Sequence, residues 1–259
     1  MDDTYQVYVN RVARMTLPET YNSQLDHIQE SPKYKPLPDG QRQAVPFPGY
    51  TIITPPAPDN PDNRSFYDDL QACQQQLSQK FDSQWWVPVP PDSLHLTLAD
   101  LIWNDAYRDA CQDPEFEQKL QGAIAESFSA FKASLIDQPI RWQVLGMIVM
   151  TRAIGVCLAP RDEASYEEIL QFRRAIYQNP SFRALGIEQQ YHFTAHITFG
   201  YFGTIPSDLD RNHLNTVLSD FNHQWIDSPQ ELVIKRAELR KFDDMTNYYR
   251  SESWPVLEF

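Results

Sequence analysis

Two spacings of apolar residues take turns along this chain. Over 66–81, Phe66, Leu70, Cys73, Leu77 and Phe81 recur every three or four residues, the period of a helix buried along one face. Asn63 or Ser65 is its candidate cap. The same spacing predicts helices over 116–131, with Leu120, Ile124, Phe128 and Phe131 on one side, and over 163–177 and 209–225. Elsewhere the pattern turns to short β-branched runs or a two-residue alternation. Strands are predicted over 50–54, 85–89 and 94–101, with a turn at 90–92 between the last two. Further strands fall over 140–150 and 154–158 as a hairpin, over 194–202, over 232–242 as one long strand, and over 254–259. Hairpins mixed with strand–helix–strand steps predict an α+β fold, with antiparallel sheets carrying helices on their outer faces.

Residues 1–49 depart from this rhythm. They are rich in Pro, Tyr and polar residues, as in SPKYKPLPDGQRQAVPFPGY. That composition predicts an irregular N-terminal extension with one short helix near its start. Its aromatics require burial, so the extension is expected to wrap the main domain, residues 50–259. Tyr34, Phe47 and Tyr50 are the residues through which it would restrict substrate size.

Within the strand patterns one four-residue motif occurs twice, as His95-Leu96-Thr97-Leu98 and His196-Ile197-Thr198-Phe199, 101 residues apart. Residues two apart on a strand share a face. His95 and Thr97 therefore point one way while Leu96 and Leu98 point the other. His196 and Thr198 are backed in the same manner by Ile197 and Phe199. A helix would set His and Thr about 200° apart and make no common site. One such strand in each half of the chain predicts a two-lobed molecule whose polar faces meet across a groove.

Two imidazoles and two hydroxyls suit a phosphodiester. A neutral imidazole takes a proton from an attacking hydroxyl or water, and a protonated one returns a proton to the leaving oxygen. Each Thr hydroxyl donates to a non-bridging oxygen. An ordinary imidazole pKa near 6.5 makes both protonation states accessible near neutrality. The roles are not divided between the two histidines by the motif.

At these residues the chain resembles the two-histidine (2H) phosphoesterase superfamily. The similarity lies in the paired motifs, their separation and the bilobal α+β layout with two antiparallel sheets around a central groove. It extends to the tail, where Leu239-Arg240-Lys241-Phe242 is followed by a short linker and a terminal strand. The resemblance covers 50–259 and is nearest to a bacterial subgroup. It implies opening of a 2′,3′-cyclic or related phosphate on a nucleotide or RNA end, with His95 and His196 as acid and base and Thr97 and Thr198 as phosphate binders. An RNA 2′-5′ ligase or cyclising transferase, and a non-catalytic cyclic-nucleotide-binding protein, are the alternatives.

His192 and Tyr201 are the candidate substrate-binding residues. His192 shares strand parity with His196, although it reads more simply as a surface residue. Tyr201 follows the second motif, but its parity with Phe199 favours the core. His27, His213 and His223 read as loop and helix-surface residues.

Net charge changes the choice of partner. With 22 Lys+Arg against 35 Asp+Glu, the charge is −13. Such a field repels duplex nucleic acid and anionic membrane, but leaves room for a small local basic pocket. A small nucleotide or an RNA end is the expected substrate. No HExxH or His-Cys cluster is present, so no metal or other cofactor is expected. Cys73, Cys111 and Cys157 are far apart and read as three buried thiols of a reducing compartment. No apolar stretch reaches the roughly 20 residues of a membrane span. With an acidic start and no secretory signal, the reading is of a cytoplasmic monomer.

Overall fold

Phe66, Tyr67, Leu70, Cys73 and Leu77 are all buried, as their spacing requires, and they anchor one helix of a molecule built on two sheets. The structure is a computed structural model that describes residues 2–133 and 138–259. The chain opens with α1 (Tyr5–Met15), α2 (Pro18–Leu25), β1 (Tyr34–Pro36) and β2 (Arg42–Ala44). Then come β3 (Gly49–Ile53), α3 (Arg64–Lys80), β4 (Trp86–Pro88), β5 (Thr97–Trp103), α4 (Asn104–Ala110) and α5 (Phe116–Lys132). The second half runs β6 (Ile140–Met150), β7 (Ala153–Pro160), α6 (Glu163–Tyr177), α7 (Pro180–Arg183), β8 (His196–Phe202) and α8 (Arg211–Asp227). It closes with β9 (Glu231–Ile234), β10 (Arg236–Phe242), β11 (Tyr248–Tyr249) and β12 (Val256–Glu258).

The larger strands form two antiparallel sheets in an α+β arrangement. The first has the order β11-β10-β3-β5, with β12 also paired to β10; the second has the order β4-β8-β7-β6-β9. Each sheet borrows from the other half of the chain: β4 pairs with β8, and β10 pairs with β3. The two lobes are therefore laced together rather than strung in sequence. Helices α1, α2 and α8 pack on β6 and β7, while α6 reaches both sheets.

Three expectations need correction. The stretch 232–242 is not one strand. It breaks at Lys235, with β9 on β6 in the second sheet and β10 on β3 in the first. The buried positions change parity at the break, from Leu232 and Ile234 to Ala237 and Leu239, but a run of strand-forming residues on both sides does not tell that the chain changes sheets. The final strand, expected over 254–259, is only Val256–Glu258, preceded by Tyr248–Tyr249.

Residues 1–49 hold two helices and a short hairpin, not one helix in an irregular run. Thr4 caps α1, its hydroxyl accepting from Val7 N, and Pro18 opens α2, where its missing N–H costs nothing. Tyr8, Val12, Tyr21 and Leu25 are buried. The Tyr8 hydroxyl donates to Leu158 O at 2.9 Å and accepts from Ala195 N at 3.1 Å, which ties α1 to the residue before His196. Asn63 does precede α3, but its side chain bonds Val233 and Asn60 and not the helix end. Cys73 and Cys157 are buried as expected; Cys111 is exposed.

Candidate active site

The alternation read from the motifs is present in the structure. Leu94, Leu96 and Leu98 are buried while His95 and Thr97 are half-buried. Ala195, Ile197 and Phe199 are buried while His196 and Thr198 are half-buried. The regular ladders start slightly late, β5 at Thr97 and β8 at His196, so His95 sits on the extended lead-in to its strand. His95, Thr97, His196, Thr198 and Tyr201 line one cavity of about 500 Å³ between the two sheets.

The two histidines are held alike. His95 Nδ1 lies 2.6 Å from Ser93 O, and His196 Nδ1 lies 2.7 Å from Thr194 O. A carbonyl can only accept, so each Nδ1 carries its proton, and each Nε2 is left for a ligand. Among the described residues no hydrogen bond engages either Nε2, nor the hydroxyl of Thr97 or Thr198. Burial pushes the His95 pKa down to about 4; the bond to Ser93 opposes this, and the nearby His196 and Arg240 add to it. At neutral pH His95 is an unprotonated imidazole with a free nitrogen.

Tyr201 is buried with the core, as its parity suggests, and also lines this cavity. Between β7 and β8 the register passes from Ile154↔Gly200 to Gly155↔Thr198, leaving Phe199 as an extra residue. A bulge of one residue reverses the alternation beyond it. His192 is not on a strand and does not line the main cavity. It is exposed, with Nδ1 3.4 Å from Asp3 Oδ1, beside a neighbouring cavity of about 240 Å³ that shares Thr97, Asp100 and His196 with the first. His27, His213 and His223 are exposed and distant from both cavities.

Five further residues at or beside the site were not legible in the sequence. The Tyr248 ring packs on His95 with centroids 4.2 Å apart. Arg240 holds that tyrosine's backbone: it donates to Tyr248 O at 2.8 Å, to Asp59 at 2.7 Å and to the buried Glu238 at 2.7 Å. Lys33, from the N-terminal segment, places its ammonium 4.8 Å from both the Phe47 and Tyr201 ring centroids and donates to the Tyr201 hydroxyl at 3.3 Å. Burial lowers its pKa to about 8; Asp100 opposes the shift, and the Arg152 charge adds to it. Arg152 and Asp100 line the same cavity. Nothing in the run Pro32-Lys33-Tyr34-Lys35-Pro36 marks Lys33 as a site residue, because the contact is made by chain reversal over 168 positions.

Among the described residues, no three His, Cys, Asp or Glu side chains cluster as metal ligands do, and no helix is long and apolar enough to cross a membrane.

Comparison with known proteins agrees with the resemblance read from the motifs. Residues 38–153 match the family described as 2H-phosphodiest, Domain of unknown function (DUF1868). That match takes in His95 and Thr97 and stops short of His196. No curated protein matches the chain. Among solved structures, the chain is similar to a conserved protein of unknown function, ATU0111 from Agrobacterium tumefaciens. The two are 13% identical over 81% of this chain and 86% of that one, with a TM-score of 0.54, which is a likeness of fold. A structure described as a phosphoesterase is 15% identical over 83% of this chain and 100% of its own, with a TM-score of 0.45. Escherichia coli LigT complexed with 3′-AMP is 15% identical over 80% and 97%, with a TM-score of 0.43.

Proposed function

We propose that this chain is a phosphodiesterase that needs no metal and opens a cyclic phosphate on a nucleotide or RNA end. The observation that carries the reading is the matched pair. Two imidazoles, each fixed by an Nδ1–H to the carbonyl two residues earlier, present free Nε2 atoms to one cavity beside two unengaged Thr hydroxyls.

Fixing Nδ1–H sets both the tautomer and the ring orientation, which is what acid–base work at Nε2 requires. His95, held neutral, is the base. Its Nε2 takes a proton from water as the water oxygen bonds to phosphorus. His196 is the acid: its Nε2 delivers a proton to the ribose oxygen as the bond from that oxygen to phosphorus breaks. Thr97 and Thr198 donate to the non-bridging oxygens, where negative charge accumulates. The product is a phosphate monoester, and proton exchange with water restores both histidines.

The test is hydrolysis of a panel of 2′,3′-cyclic and 3′,5′-cyclic nucleotides and cyclic-phosphate-ended RNAs in EDTA, with His95→Ala and His196→Ala alongside. Turnover that survives chelation and collapses in both variants is the expected result. Turnover that EDTA abolishes, or that either variant retains, rejects the mechanism.

A further inference from the structure

The groove carries cations that the proposed reaction does not use. In a chain of net charge −13, Lys33 and Arg152 face one cavity against a single carboxylate, Asp100. Neither forms an ion pair among the described residues. Lys33 bonds only the Tyr201 hydroxyl, and Arg152 only Gln29, at 3.4 Å. Holding a half-buried ammonium charged is costly when the carboxylate facing it forms no ion pair with it, and an anionic ligand lowers that cost.

Their position along the groove separates them from the phosphate held by the motifs. Strand register sets Tyr201 opposite Ala153, beside Arg152, and His196 opposite Cys157. The four strand spacings left after discounting the bulged Phe199 amount to about 13 Å at 3.3 Å per residue. Lys33 lines the groove and touches Tyr201 and Phe47 at that far end. From Tyr201 to His95 the wall runs through Met245, whose Sδ is 3.3 Å from the Tyr201 hydroxyl, and Tyr248, whose ring packs on His95. The wall between the two ends therefore offers the Tyr201 and Tyr248 rings, side chains of the kind on which nucleotide bases stack.

We propose that Lys33 and Arg152 form a second anion subsite, so that the preferred ligand carries a terminal phosphate besides the one at the histidines. This rests on the phosphodiesterase reading for what sits at the histidines, but not for its own test. Lys33 is then a specificity-determining residue supplied by the N-terminal segment, and Asp100 keeps the ammonium charged near neutrality.

The experiment is calorimetric binding of adenosine 3′-monophosphate, adenosine 3′,5′-bisphosphate and adenosine 3′-phosphate 5′-diphosphate to the full chain at fixed salt. The parent is compared with Lys33→Met, Lys33→Arg and Arg152→Gln. A charge-assisted contact predicts that one of the 5′-phosphorylated ligands binds the parent tenfold or more tighter than the monophosphate, roughly the range for hydrogen bonds to charged groups. Lys33→Met reduces that advantage, taken as the ratio to the monophosphate within the same variant, to below about twofold, Lys33→Arg retains most of it, and the exposed Arg152→Gln halves it or more. Equal affinities in the parent, an advantage that survives Lys33→Met and Arg152→Gln, or no binding of any of the three overturns the subsite. Binding requires no turnover, so an inactive protein with the predicted affinities rejects the hydrolase and keeps the subsite, whereas an active one with equal affinities does the reverse.

Discussion

Leu98 and Phe199, the fourth residues of the two motifs, are each an extra residue in their ladder. The register jumps from Ile52↔Ala99 to Ile53↔Thr97 in one sheet, and from Ile154↔Gly200 to Gly155↔Thr198 in the other. Each bulged carbonyl is then satisfied by a buried helix side chain. Arg173 of α6 donates to Leu98 O, and Gln74 of α3 donates to Phe199 O at 2.7 Å. After the bulge, the fifth residue beyond each histidine, Asp100 or Tyr201, turns into the groove.

Gln74→Leu loses the bonds to both Val89 O and Phe199 O; Phe199 O keeps the Val89 N–H at 3.0 Å, so Val89 O is the acceptor left stranded, at an expected cost of about 1–3 kcal/mol. Urea unfolding checks this, and the damage should reach the second motif as a fall in kcat.

The paired motifs set the size of the catalytic losses. His95→Ala and His196→Ala should each lower kcat by about 10²–10⁴, the usual contribution of a positioned proton-transfer group. Thr97→Val and Thr198→Val each remove one donor to developing charge and should cost about 10²–10³. Thermal melting that stays near the parent's separates chemistry from misfolding. The double histidine variant should fall no further than the worse single one, as expected of groups that act as a unit.

The pH dependence follows from His95, whose pKa is pushed down to about 4. The base form persists down to that value, so the acidic limb of kcat/KM for His95 should lie near 4, not near 6.5. Tyr248→Ala opens the ring contact and should move the limb upward. For stability, the unfolded state binds the proton first between 6.5 and 4, so the folded state loses stability as pH falls through that window. His95→Asn removes this component, and its melting temperature should decline less steeply from pH 6.5 to 4 than the parent's.

Arg240 and Glu238 are both buried in the first sheet and bonded to each other. Arg240→Met leaves Glu238 with Arg236 alone, at 3.1 Å, and should destabilise by about 3 kcal/mol, the lower end for a broken buried pair. Glu238→Gln in the same chain should recover part of it. Because Arg240 also holds the backbone of Tyr248, the single variant should shift the acidic limb of His95 as well, a readout that loss of stability alone would leave in place.

Leu96 and Ile197 show how far reading along the chain goes. Alternation around them placed His95, Thr97, His196 and Thr198 on polar faces, because the strand period is a local property of the backbone and survives any packing. The α+β class followed from hairpins mixed with strand–helix–strand steps, and the two lobes and the expected phosphoester chemistry from having that motif twice. Tyr201 shows the limit. Its facing depends on a bulge at Phe199, held by Gln74 from 125 positions away. Lys33, Arg152 and Tyr248 entered the site by chain reversal, and the run 232–242 divided between two sheets at Lys235. Those outcomes rest on long-range hydrogen bonds and sheet choice, which local hydrophobic period does not encode. Sequence alone determined that each His and Thr pair shares one strand face, because alternation is local, and tertiary structure decided what surrounds them.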